Sequence, residues 1–147
     1  MRRIAAVSLG MMLLQGAALR ADLQEAKAEP NLERRSKLAL DNAEAALTEA
    51  RAAYVKGDLA QVEARATEIR ESVALADASL HQTGKNPRKS PRWFKHAEIA
   101  TRDLLRRLDS FEHEMSAADR PLLAEVKSEV QQAHDNLLLE IMGAKEK

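Results

Sequence analysis

The chain has 147 residues, 23 basic and 23 acidic side chains, four aromatic residues and no cysteine. That length allows one domain with a true core, and a composition dominated by Ala, Leu, Glu, Lys and Arg with little Gly favours long helices. Without cysteine, disulfides, Cys–Zn sites, thiol catalysis and thiol-linked lipid anchors are excluded.

The N-terminus has the pattern of an export signal. Met1-Arg2-Arg3 is a short positive region and Ile4 to Leu19 is an apolar run. Cleavage is expected after Ala18, Ala21 or Ala28, and a signal peptide is assigned to residues 1–21. An uncleaved anchor is the alternative. However, the run is only 16 residues and is interrupted by Ser8, Gly10, Gln15 and Gly16, which is short for a bilayer span. No cysteine follows it, so the bacterial lipoprotein route is closed. The expected location is periplasmic or secreted, with no transmembrane span in the mature chain. Losing residues 1–21 removes three basic residues and no acid, leaving a net charge of −3. Residues 22–30 are polar, end in Pro30 and read as a flexible leader.

Four apolar runs follow, stepping by three and four residues, the spacing of a helix packed at a shallow angle. The first is Leu40, Ala43, Leu47, Ala50, Tyr54. The second is Leu59, Val62, Ala66, Ile69, Val73, Ala76, Leu80. The third is Phe94, Ala97, Thr101, Leu104, Leu108, Phe111, Met115. The fourth is Leu123, Val126, Val130, Ala133, Leu137, Ile141. Gly57, Gly84 and Gly143 suit helix ends, Asp58 suits an N-cap, Ser90-Pro91 reads as an N-cap followed by Pro at the first helical position, and Ser116 to Asp119 opens the fourth helix. The expected helices span 32–56, 58–83, 91–115 and 119–142. The very short first and third turns make their flanking helices antiparallel.

The segment ALTEARAAYVKGDLAQVEA, residues 46–64, resembles the hairpin of tetratricopeptide repeats, with an aromatic residue before a Gly-Asp turn. The resemblance covers one hairpin. Its helices exceed a repeat of about 34 residues and the second hairpin lacks the pattern, so it is taken as convergence on a common turn. The expected fold is all-α, an up-down-up-down antiparallel four-helix bundle over residues 31–143 with a disordered tail at 144–147. Two hairpins stacked as an open solenoid is the rival arrangement.

Residues 84–94, GKNPRKSPRWF, hold Lys85, Arg88, Lys89 and Arg92 and no acid. In the expected bundle this loop shares one end with the starts and ends of helices carrying Arg34, Arg35, Lys37, Lys145 and Lys147, and that end sums to a formal +7. The opposite end sets Asp58, Glu63, Glu112, Glu114 and Asp119 against Lys56 and Arg120 and sums to −3. Cations suit a helix C-terminus, but Arg92 and Lys95 sit in the first turn of a helix, where the dipole favours anions. A local rule broken without compensation marks a candidate site. The candidate anion- or partner-binding residues are Lys85, Arg88, Lys89, Ser90, Arg92, Trp93 and Lys95, joined by Arg34 and Arg35. Trp93 adds an amphipathic ring for a headgroup or a sugar. The plain alternative is a solvated loop with Trp93 and Phe94 closing the bundle end.

Familiar catalytic and metal patterns are missing. No Glu-x-x-His, Cys-x-x-Cys-His, HExxH, Gly-x-Ser-x-Gly or Gly-rich phosphate loop occurs. His81 and His96 share the basic end, where positive charge opposes a metal and no carboxylate is expected to lie near. His113 reads as part of a solvated face and His134 as flanking a seam. No cofactor, metal site or catalytic residue is assigned.

The expected function is an exported non-enzymatic bundle that binds an anionic or acidic envelope partner through its basic end. That partner is a lipid headgroup, a cell-wall polymer or an acidic protein. Nucleic acid is not expected, and a homo-oligomer is compatible with the Ala-rich first hairpin. The alternatives are a periplasmic adaptor or chaperone using an exposed helix face, and a metal- or cofactor-binding bundle.

Overall fold

The computed structural model describes residues 23–143. The proposed signal peptide and tail, with Lys145 and Lys147, lie outside them. Among the described residues the protein is all-α, with no strand. The long helices are α1 (Leu32–Val55), α2 (Leu59–Gln82), α3 (Arg92–Glu114) and α4 (Ala124–Met142), the last entered through a 3-10 turn, Arg120–Leu123. Each boundary has a local cause. Asn31 Oδ1 accepts from the Arg34 N–H at 2.9 Å, and Asp58 Oδ1 accepts from the Gln61 N–H at 3.1 Å, so both N-termini are capped by side chains. Gly57 (φ 76°) and Gly84 (φ 66°) leave α1 and α2 through left-handed backbone. Pro121 supplies no N–H, and the fourth helix tightens into the 3-10 turn around it.

The apolar runs are the core. All seven members of the third run are buried, as are Val62, Ala66, Ile69, Val73, Ala76 and Leu80 on α2, while Ala133 and Ile141 are half-buried and Leu59 is exposed. Helix α1 buries a second stripe that hydropathy did not mark: Ser36, Ala39, Asn42 and Ala46. Asn42 Nδ2 donates to Glu68 Oε1 at 3.1 Å and to Ser72 Oγ at 2.9 Å, and Arg65 pairs with the other Glu68 oxygen at 2.8 Å. This buried polar bridge joins α1 to α2.

Helices α1 and α2 form one hairpin, and α3 and α4 the other. The hairpins meet through like-directed helices. Arg107 on α3 donates to Thr48 on α1 at 2.8 Å, Arg70 on α2 donates to Glu129 on α4 at 2.7 and 2.9 Å, and His81 on α2 bonds Glu140 on α4 at 2.9 Å. All three links join residues 59 apart in the chain. So α1 lies parallel to α3 and α2 parallel to α4, and of the long helices α1 and α4 touch least. This differs from a ring in which every neighbour is antiparallel. It is two antiparallel hairpins laid side by side, the pairing that the stacked alternative requires. Apolar periodicity says that each helix has a buried face but not which helix covers it.

The flexible leader expected over 22–30 also needs correction. Residues 23–28 are helical, with Leu23 and Ala26 buried on one face. The following Glu29 accepts from the Asn31 N–H at 3.0 Å through its side chain and from Arg35 Nε at 2.8 Å through its carbonyl.

Candidate functional site

The α2–α3 connection is an organised turn. Thr83 Oγ1 donates to the Leu80 carbonyl at 2.6 Å as α2 ends. Asn86 Oδ1 then accepts from the N–H groups of Arg88 at 2.9 Å and Lys89 at 3.4 Å, and the Ser90 N–H reaches the Asn86 carbonyl at 2.9 Å. This Asx-type turn leaves Arg88 and Lys89 exposed.

The Ser90 cap is not formed. Pro91 is the N-cap of α3, already in helical backbone (φ −77°, ψ −15°), with no side-chain cap bond. Because Pro91 continues the helical geometry, the Ser90 hydroxyl is displaced from the first-turn N–H groups and lines a cleft instead.

That cleft, about 480 Å³, is lined by Lys85, Ser90, Pro91, Arg92, Trp93, Lys95 and Glu33. Five of the candidate residues therefore meet in one depression. Arg88 lies elsewhere, folded over Gly143 at the end of α4. A Cβ at Gly143 would stand 2.6 Å from Arg88 Cδ, and Gly143 also holds φ +72°. Arg34 and Arg35 turn toward the leader. Arg34 pairs with Glu29 at 3.7 Å and Arg35 holds the Glu29 carbonyl. Trp93 is half-buried against the core with the Arg92 guanidinium 5.2 Å above its ring, and it stands T-shaped to His96 with ring centroids 6.1 Å apart.

Carboxylates temper the basic end more than sequence neighbours suggest. Glu33 ion-pairs Lys85 inside the cleft. His81 stands between Asp77 and Glu140, so the expectation that no carboxylate lies near it is corrected: the fold brings Glu140 from α4. Arg88, Lys89, Arg92 and Lys95 keep no carboxylate partner among the described residues. Burial alone would lower the His81 pKa, but the Glu140 hydrogen bond, the Asp77 carbonyl and both negative charges outweigh it, and the net shift is upward. Burial raises Asp77, with Glu140 adding to it and His81 opposing.

At the other end acids are mostly paired. Arg51 bonds Glu114, and Lys127 Nζ sits 2.7 Å from Asp109 and 2.6 Å from Glu112, hydrogen bonds that raise its pKa. Tyr54 Oη donates to Asp119 at 3.1 Å and accepts from the Ser116 N–H at 2.9 Å. A second cleft, about 330 Å³, lies over Arg70, which Glu125 and Glu129 already neutralise. His134 Nε2 bonds Glu98 at 3.1 Å, linking α4 to α3. Among the described residues no group of three His, Cys, Asp or Glu side chains is placed to hold a metal ion, and no helix is long and apolar enough to cross a membrane.

No family model, curated protein or solved structure matches this chain.

Proposed function

We propose that the protein is an exported, non-enzymatic helical bundle that binds an anionic envelope component through the end carrying the α2–α3 loop. One observation carries the reading. The cleft lined by Lys85, Ser90, Arg92, Trp93 and Lys95 holds two cations, Arg92 and Lys95, with no carboxylate partner among the described residues, and Lys89 in the loop just before it has none either. An anion there meets guanidinium and ammonium groups and the Ser90 hydroxyl, beside a first helical turn that lacks a side-chain cap. Trp93 acts by holding Arg92 over its ring. Glu33 sets a threshold: a ligand must compete with its pair to Lys85. A variant with Arg88→Ala, Lys89→Ala and Arg92→Ala tests this. The native chain is expected to be retained on anionic vesicles, peptidoglycan or heparin at low salt and released at high salt. Equal retention of the variant on all three would remove the proposal.

A second reading, a protein-interaction adaptor, draws on exposed apolar side chains of the second hairpin: Ile99 on α3, and Leu138, Leu139 and Met142 on α4. Salt-insensitive capture of a partner, abolished by Leu138→Ser with Met142→Ser, would favour it over the first.

A further inference from the structure

Helix α3 carries a second stripe, opposite its buried one. Arg92, Lys95, Ile99, Arg102 and Arg106 step by three and four residues, the same period as the core run, and every one of them is exposed. The Arg102 and Arg106 side chains retain 61% and 78% of their accessible surface. The stripe begins in the cleft and runs about 21 Å along the outside of the second hairpin. Its carboxylate neighbours oppose it weakly. Glu98 Oε1 takes His134 of α4 at 3.1 Å and pairs more loosely with the exposed Arg102 at 3.4 Å, and Asp103 makes an exposed pair with Arg106 at 2.9 Å.

We infer that the ligand of the basic end is a flexible linear polymer bearing phosphate in every repeat, laid from the loop along this stripe and held by its phosphates alone. This deepens the anion-binding reading and rests on it. A single headgroup or free phosphate would need only the cleft, whereas a row of cations continuing along one helix fits a repeated charge. A bilayer fits poorly, since α3 spends its apolar face on the core and offers only Ile99 outside. A sugar polymer read by stacking fits poorly too, because Arg92 covers a face of Trp93, the sole tryptophan. Arginine supplies three of the four stripe cations and presents a planar fork matched to phosphate oxygens.

The experiment measures fluorescence-anisotropy binding of long inorganic polyphosphate, with tripolyphosphate, heparin, single-stranded DNA and anionic vesicles as competitors. Arg102→Ala with Arg106→Ala is compared with the loop triple variant, and circular dichroism checks that both fold. The stripe variant is expected to lose about tenfold in affinity for long polyphosphate and about 1.4 in the slope of log affinity against log salt, while tripolyphosphate binding is unchanged. If the stripe variant binds long polyphosphate like the native chain while the loop variant does not, the extended ligand is wrong and the basic-end reading stands. If neither variant loses binding, both are wrong. Stronger competition by heparin or vesicles than by polyphosphate overturns the phosphate polymer, and stronger competition by single-stranded DNA at equal charge shows that bases are read.

Discussion

Replacing Asn42 by Ala tests the buried polar bridge between α1 and α2. The Asn42 amide makes two hydrogen bonds, one to the Glu68 carboxylate and one to the Ser72 hydroxyl, and all three residues are buried. A hydrogen bond to a charged group contributes about 1.5–3 kcal/mol and a neutral one about 0.5–1.5 kcal/mol. Against this, Asn42 Oδ1 is buried without a protein partner, and removing it returns about 1 kcal/mol. The net expectation is a loss of about 1–3.5 kcal/mol, read as a lower urea midpoint at unchanged slope. Asn42→Asp should cost more, since it sets a second carboxylate against Glu68. A double-mutant cycle with Glu68→Gln should show coupling above about 0.5 kcal/mol. An Asn42→Ala protein within about 0.5 kcal/mol of the native one would refute the claim that this bridge stabilises the hairpin.

Leu104→Ala, at a fully buried seam position, should cost about 2–5 kcal/mol by denaturation, against under about 0.5 kcal/mol for Arg106→Ala on the exposed face. Gly143→Ala forces a left-handed Ala and displaces Arg88, with an expected loss of about 1–2 kcal/mol; Gly143→Asn should recover part of it, and equal stability of all three would contradict the assignment. His81 has a folded-state pKa above its ordinary value, so its clasp on Glu140 stabilises the protein fully below the ordinary histidine range and fades as pH rises through the raised pKa. The raised pKa of Asp77 has the same sign, costing stability as pH rises past the usual carboxylate range. The stability gap between native protein and His81→Gln should therefore narrow from pH 5 to pH 8.5; a constant gap would show that the histidine charge is irrelevant to stability.

Much of the all-α core was legible because its residues are large, apolar and regularly spaced. Phe94, Leu104, Leu108 and Phe111 declare the buried face of α3 without reference to any other helix. The second buried stripe of α1 was not legible, because Ser36, Ala39 and Ala46 carry little hydropathy and Asn42 argues against burial until Glu68 and Ser72 meet it. Residues 23–28 hide their buried face for a similar reason, since Leu23 and Ala26 among polar positions look like solvent-facing chain. In the site, charge spacing found the residues that gather in the cleft. It could not supply Glu33 or Glu140, which arrive from other helices, nor the failure of Ser90 to cap α3. The stripe of Arg102 and Arg106 was readable in principle, as its period equals that of the core run. A charge sum taken over helix ends does not display it, because it belongs to one helix face.

The loop-bearing end is proposed to attract anions through cations with no internal carboxylate partner among the described residues. The most direct test is the equilibrium affinity of the native chain and the Arg88→Ala, Lys89→Ala, Arg92→Ala variant for one immobilised envelope polyanion, across a salt series. Native binding is expected to weaken steeply with salt, and the variant to bind at least about tenfold more weakly with a shallower slope. Equal affinity of the two proteins, or binding indifferent to salt, would contradict it.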